Sequence, residues 1–189
     1  MVLKESDSDL ERGDTAPDFS LRDTNGDEKS LEDFTGYDAL LVVFTCNHCP
    51  YAKAKIPVLN SIADDYDDVG VVGINPNDAD EYPDDSYERM QELVEDGEVR
   101  YDAYLRDETQ EVADEYGAVC TPDPFLFENE NGDFRLVYHG RLDDAQNPDD
   151  EPTQHEMRDA IDSVLGGDEV EVEEIPSRGC SIKWIEADT

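Results

Sequence analysis

The stretch Ala39-Leu40-Leu41-Val42-Val43-Phe44-Thr45-Cys46-Asn47-His48-Cys49-Pro50 decides the reading. Its first six residues are all apolar and partly β-branched, as expected of a central strand buried on both faces. Two cysteines three apart follow at once. Pro50 then falls in a first helical turn, where a missing N–H costs nothing. Ile56, Leu59, Ala63 and Tyr66 recur on one face of the helix that follows, and Pro57 is expected to kink it. Cysteines at this spacing, at a helix start, lie close enough to close a disulfide with little distortion. Cys46 sits where backbone N–H groups converge and the helix dipole is positive. A thiol pKa lowered into the range of roughly 3.5–7.5 is therefore expected. Protonated His48 adds to that effect, as do Lys53 and Lys55 if they reach the sulfur.

Working outward, Gly13 to Leu21 reads as an extended arm, and Asn25-Gly26 as a turn into a second short strand. Val69 to Ile74 is the next strand, closed by Asn75-Pro76-Asn77. A helix follows around Ser86 to Val94, then a short strand near Tyr104-Leu105. A helix from Glu108 to Tyr116 stops at Gly117. Phe125–Phe127 and Leu136–Tyr138 form an antiparallel pair turning at Asn131-Gly132. The last helix carries Met157, Ala160, Ile161 and Val164 and stops at Gly166-Gly167. The order β–α–β–α–(β)–α–β–β–α is that of an α/β protein with a central mixed sheet flanked by helices, a thioredoxin-like layout. The expected division is a flexible N-terminus over 1–12, one domain over 13–167, and a C-terminal tail over 168–189. Ile182 and the only tryptophan, Trp184, are expected to pin that tail to the domain.

Charge narrows the function classes. Among 189 residues, 51 are Asp or Glu, 14 are Lys or Arg and 3 are His, a formal net charge of −37. A surface this negative repels nucleic acid. The longest apolar run, Ala39 to Phe44, is far too short to span a bilayer. The opening MVLKESDSDLERGD lacks the apolar core of a secretory signal, so a cytoplasmic location is expected. Carboxylates are spread along the whole chain, as in the cytoplasmic proteins of extreme halophiles. Molar salt shortens the Debye length to about 3 Å, which screens such crowding.

A Cys-x-x-Cys pair alone also fits a zinc half-site or two inert thiols. Cys120 and Cys180 make up the cysteine count, but neither belongs to a second such pair, so no metal is expected. Cys120-Thr121-Pro122 stands just before the strand Phe125–Phe127. In thioredoxin-like folds a cis-proline at this place faces the cysteine pair and offers the preceding residue's backbone to a bound chain. Pro122 is expected to be cis on that ground.

Several motifs point to one family. Phe44-Thr45-Cys46-Asn47-His48-Cys49-Pro50-Tyr51, Ile74-Asn75-Pro76-Asn77-Asp78, Tyr82-Pro83-Asp84-Asp85-Ser86, Asp107 to Ala113 and Gly179-Cys180-Ser181-Ile182-Lys183-Trp184 resemble the peroxiredoxin-like branch of the thioredoxin-fold redoxins. Ala16-Pro17-Asp18-Phe19 resembles the start of the wider alkyl hydroperoxide reductase and thiol-specific antioxidant superfamily. The resemblance implies a thioredoxin-like fold with a dithiol site at Cys46 and Cys49. One departure bears on activity. Peroxiredoxins carry Pro-x-x-x-Thr-x-x-Cys, and aligned on Cys46 those places hold Ala39 and Val43, with Thr45 as a nearby substitute hydroxyl. Val43 cannot hydrogen-bond a peroxide.

The sequence is therefore read as a thiol–disulfide oxidoreductase. Cys46 attacks as thiolate and Cys49 resolves the mixed disulfide. His48, Pro50, Thr121 and Pro122 support the pair. Cys180 is either a buried structural thiol or an auxiliary one, with Lys183 beside it. No organic cofactor is needed. The partners are protein or small-molecule disulfides and a thiol reductant, with no nucleic acid and no membrane. The alternatives are a thiol peroxidase using Cys46 and a redox-sensing or metal-binding module.

Overall fold

A computed structural model describes residues 3–186. In chain order, β1 spans Leu3–Glu5, β2 Ser20–Asp23, β3 Glu28–Ser30 and β4 Ala39–Phe44. Then come α1 (Pro50–Lys53), α2 (Ile56–Asp65), β5 (Val69–Asn75), α3 (Tyr87–Glu95) and β6 (Ala103–Arg106). The chain continues through α4 (Glu111–Tyr116), β7 (Cys120–Thr121), β8 (Asp123–Glu130) and β9 (Asp133–His139). It ends with α5 (Glu156–Leu165) and β10 (Arg178–Ser181).

β4 organises the larger sheet, whose order is β3-β2-β6-β5-β4-β8-β9. It runs parallel to β5 and antiparallel to β8, and β5 in turn runs parallel to β6. All six β4 residues are buried because both faces of the strand are covered. Leu40, Val42 and Phe44 join Val112, Ala113 and Tyr116 of α4, with Ala16 and Phe19 of the N-terminal arm. Ala39, Leu41 and Val43 face Leu59 and Ile62 of α2 and Met157, Ala160 and Ile161 of α5. This is the two-residue period of a strand between two helical layers. The turn between β8 and β9 is Asn131-Gly132, with φ of 56° and 96°, the left-handed pair that a two-residue hairpin requires.

Four features depart from the sequence reading. Pro57 does more than kink the helix: α1 stops after four residues, and Pro57 lies in the first turn of a separate α2. The N-terminus is not wholly a loose arm, since Leu3–Glu5 pairs with Arg178–Cys180; residues 1–2 lie outside the described part. β7 and β10, which carry no periodic signal, pair to form a second sheet of order β1-β10-β7. Finally, Ile182 is buried in the core at 3% exposure whereas Trp184 is 40% exposed, so Ile182 is the side chain that pins the tail. Residues 187–189 of that tail lie outside the described part. No described helix is long and apolar enough to cross a membrane.

Candidate active site

The site lies where the two sheets meet. β4 ends at Phe44, and the loop Thr45–His48 leads to Cys49, which is the N-cap of α1, with Pro50 in the first turn. Cys46, Cys49, Ala52 and Cys180 form one buried cluster, with Tyr51 packed against it. The strand β7 brings Thr121 between the sulfurs. Its hydroxyl is 3.4 Å from Cys46 Sγ, and its carbonyl oxygen lies 3.8 Å from the disulfide-bonded Cys49 Sγ. The Thr121–Pro122 bond is cis.

The structure adds to one expectation about the sulfurs and corrects another. The disulfide joins Cys49 to Cys180, with Cα atoms 6.3 Å apart, and leaves Cys46 as a free thiol. The sequence reading expects Cys46 and Cys49 to close a disulfide during turnover; the bridge to Cys180 is the addition, since the pairing of β10 with β7 is invisible from local spacing. The Cys46 thiol is also not acidic. Burial, followed by the charge of Asp85, pushes its pKa up to about 11. The hydroxyl of Thr121 and the backbone N–H groups of Cys49 and His48 pull the other way and are outweighed. The helix dipole is weak here because α1 has only four residues and begins after Cys49, three positions beyond Cys46.

The expected cations do not reach the sulfur. Lys55 is taken by Asp143 Oδ1 at 2.5 Å and the Ala145 carbonyl at 2.6 Å, and Lys53 is exposed. Lys183 donates to Ser181 Oγ at 3.1 Å and lies 5.9 Å from the centre of the Tyr82 ring. The Thr45 hydroxyl, the expected substitute, is buried with no hydrogen-bond partner among the described residues, and it is Thr121 that stands beside Cys46.

Sequence reasoning quoted Asp85, Asn75 and Asn77 only as parts of motifs and gave them no role. Asp85 is fully buried and ties the cysteine loop in place. Its Oδ1 accepts from the Asn47 backbone N–H at 2.6 Å and from Asn75 Nδ2 at 3.2 Å. Its Oδ2 accepts from Asn77 Nδ2 at 3.0 Å and from His48 Nδ1. Burial alone would raise the Asp85 pKa, but the hydrogen bonds from His48, the Asn47 backbone and Asn77 bring it below the ordinary carboxylate value. Asn47 is fixed further: its amide donates to the Asp84 carbonyl at 2.9 Å and its oxygen accepts from the Tyr104 hydroxyl at 2.5 Å. His48 stacks on Tyr82, with ring centres 5.2 Å apart. The signal present in the sequence is Asn75 and Asn77 bracketing Pro76 at the end of an apolar strand, with Asp85 ten residues beyond Asn75.

Cys46, His48 and Asp85 place a sulfur, a ring nitrogen and a carboxylate oxygen within 4.8 Å of one another. A divalent ion could take these three only by displacing donors from an Asp85 that already accepts four. Cys120, buried with its Sγ toward the Pro122 carbonyl at 3.9 Å, is not in the sulfur cluster. Burial raises its pKa further than that of Cys46.

Residues 12–135 match the AhpC/TSA family. The chain belongs to that family. Among solved structures, an uncharacterised conserved protein from Geobacillus kaustophilus superposes with a TM-score of 0.91 at 40% identity, over 100% of this chain and 99% of that one. A hypothetical protein from Sinorhizobium meliloti gives 0.89 at 40% identity, over 97% and 99%. A proposed thiol:disulfide interchange protein, DsbE, from Chlorobium tepidum gives 0.56 at 25% identity, over 67% and 84%. No curated protein matches the chain. The AhpC/TSA chain thus has an α/β thioredoxin-like fold and a thiol redox function.

Proposed function

We propose that this AhpC/TSA protein is a thiol–disulfide oxidoreductase, with Cys46 as the attacking thiol and Cys49 as the resolving one. The observation that carries this reading is a free thiol at Cys46 held in one buried cluster with the Cys49–Cys180 disulfide. In the reduced protein the Cys46 thiolate attacks a substrate disulfide. A mixed disulfide forms at Cys46 and one substrate thiolate leaves. Cys49 then attacks the Cys46 sulfur and expels the second substrate thiol. The Thr121 hydroxyl and the His48 and Cys49 N–H groups receive charge on Cys46. Cys46 is only 1% exposed, so an outside disulfide reaches it only after a local opening, and β10, whose Cys180 shares its buried cluster, is the segment taken to move. A thiol reductant restores the dithiol, and the protein works in a salt-rich cytoplasm, where its charge of −37 is screened. Its melting temperature is expected to rise with KCl; a Tm independent of salt would contradict that setting.

A second reading, thiol peroxidase, is favoured by one contact. Thr121 supplies beside Cys46 the hydroxyl that Val43 cannot. Cys46 would then be oxidised to sulfenic acid, and Cys49 would close the disulfide with loss of water. Reduced protein in molar salt, offered insulin and hydrogen peroxide separately, decides between the two. Rapid insulin reduction with slow peroxide consumption supports the first reading, and the reverse pattern supports the second.

A further inference from the structure

We infer that Cys180 is a third catalytic cysteine: it draws the disulfide off Cys46 at the end of each turnover, and its strand occupies the place of an extended substrate while it does so. The inference rests on the oxidoreductase reading above and adds to it a terminal step and an internal occupant of the site.

Thr121 stands at the centre of the sulfur cluster. This one residue touches the two sulfurs of the Cys-x-x-Cys pair, through its hydroxyl to Cys46 and its carbonyl to Cys49. Its ladder partner in β10 is Cys180. Any extended chain that presents a sulfur to Cys49 from this side must lie along the edge of β7, and β10 already lies there. The approach is as close as a backbone permits. A Cβ built at Gly179 would stand 1.9 Å from the Thr121 carbonyl oxygen, so only glycine fits before the cysteine. The strand is also held on both sides of its sulfur. Ser177 Oγ donates to the Pro122 carbonyl at 2.7 Å, the Ile182 N–H to the Val119 carbonyl at 3.0 Å, and the Lys183 N–H to Asn77 Oδ1 at 2.9 Å. Cys180 therefore returns to a fixed position whenever the tail is seated.

A purely structural bridge has no reason to consume half of a redox pair. This one engages Cys49 and leaves Cys46 reduced, which is the state a relay reaches when it has finished. In the terminal step the Cys180 thiolate attacks the Cys49 sulfur of a Cys46–Cys49 disulfide. The Cys49–Cys180 bond forms and the Cys46–Cys49 bond breaks. Cys46 leaves as thiolate and takes up the proton that Cys180 has lost. The exchange moves no net electrons. Two electrons from a dithiol reductant later open Cys49–Cys180, and two substrate thiols have by then been released for one protein disulfide formed.

The test is disulfide mapping after a single turnover. Fully reduced protein in molar salt is mixed with one equivalent of insulin, quenched in acid at intervals, alkylated and digested without reduction. Free insulin thiols are counted in the same samples. The expected course is insulin reduction, an early Cys46–Cys49 bridge, and an end state with Cys49–Cys180 bridged and Cys46 alkylated. Cys180→Ser is expected to stop at Cys46–Cys49. Insulin reduction that ends in wild-type protein with Cys46–Cys49 bridged and Cys180 alkylated overturns the relay and leaves the oxidoreductase reading intact. Absence of insulin reduction overturns the reading beneath it. Because the wild-type map alone decides the matter, a Cys180→Ser protein that failed to fold would not weaken the test.

Discussion

The two sheets of this protein are built on different physical terms. The seven-stranded sheet is held by apolar burial on both faces, with β4 and β5 completely buried and T-shaped contacts joining Phe44 and Phe125 to each other and to Tyr116 of α4. The three-stranded sheet has strands of two to four residues, drawn from near the two ends of the chain and from the approach to Pro122. It is held by short ladders, by the flanking contacts of Ser177, Ile182 and Lys183, and by one covalent bond, Cys49–Cys180. Cys46 and Cys49 belong to the durable part and Cys180 to the lighter one. The lesson is that a redox change at the seam acts first on the part with the least apolar support.

The largest expected effect strikes the durable side. Asp85→Ala removes the acceptor for the Asn47 backbone, Asn75, Asn77 and His48, leaving buried donors unpaired. A loss of about 3–5 kcal/mol in denaturant unfolding is expected. The pH dependence has a definite sign. The folded Asp85 pKa lies below its unfolded value of about 4, so its contribution is present above that value and fades as pH falls through the folded one. The gap between wild type and Asp85→Asn should therefore narrow on acidification; a gap that widens would refute the role given to this carboxylate.

Next in size is the disulfide, which spans 131 positions. Its reduction is expected to cost about 2–4 kcal/mol through the freedom it returns to the unfolded chain. Hydrogen exchange sharpens the comparison. Amides of β1, β7 and β10 should exchange faster after reduction, while those of β4, β5 and β8 hold. Equal loosening of both sheets would erase the distinction. Gly179→Ala should act on the same strand with about 1–3 kcal/mol, by driving a methyl into the Thr121 carbonyl. A variant as stable as wild type would mean that β10 does not sit so tightly.

The same contrast explains what the sequence discloses. Ala39 to Phe44, Val69 to Ile74 and the Asn131-Gly132 turn declare themselves through local pattern, and with them the place of Cys46 and Cys49. Thr121 and Pro122 are legible from their position before β8, since they share the junction with the cysteine pair. β7 and β10 are not legible, because two- and four-residue strands carry no period and their pairing, Cys180 with Thr121 and Ser181 with Cys120, joins distant parts of the chain. The sequence offers Cys180 as an auxiliary thiol near the pair, and the structure places it there, but the bridge to Cys49 is not legible without that pairing. The Cys46 pKa was misjudged for a related reason: the pattern discloses a helix start, while burial and the charge of Asp85 exist only after folding.

In the relay proposed above, β10 is a cover over Cys46 that the Cys49–Cys180 disulfide holds in place. The rate at which a small alkylating agent labels Cys46 at neutral pH, before and after reduction of Cys49–Cys180, tests it most directly. The oxidised protein should label slowly, with the rate climbing toward the Cys46 pKa of about 11, and Asp85→Asn should move that climb to lower pH. Reduction should accelerate labelling at neutral pH. An identical rate in the two redox states would contradict the claim.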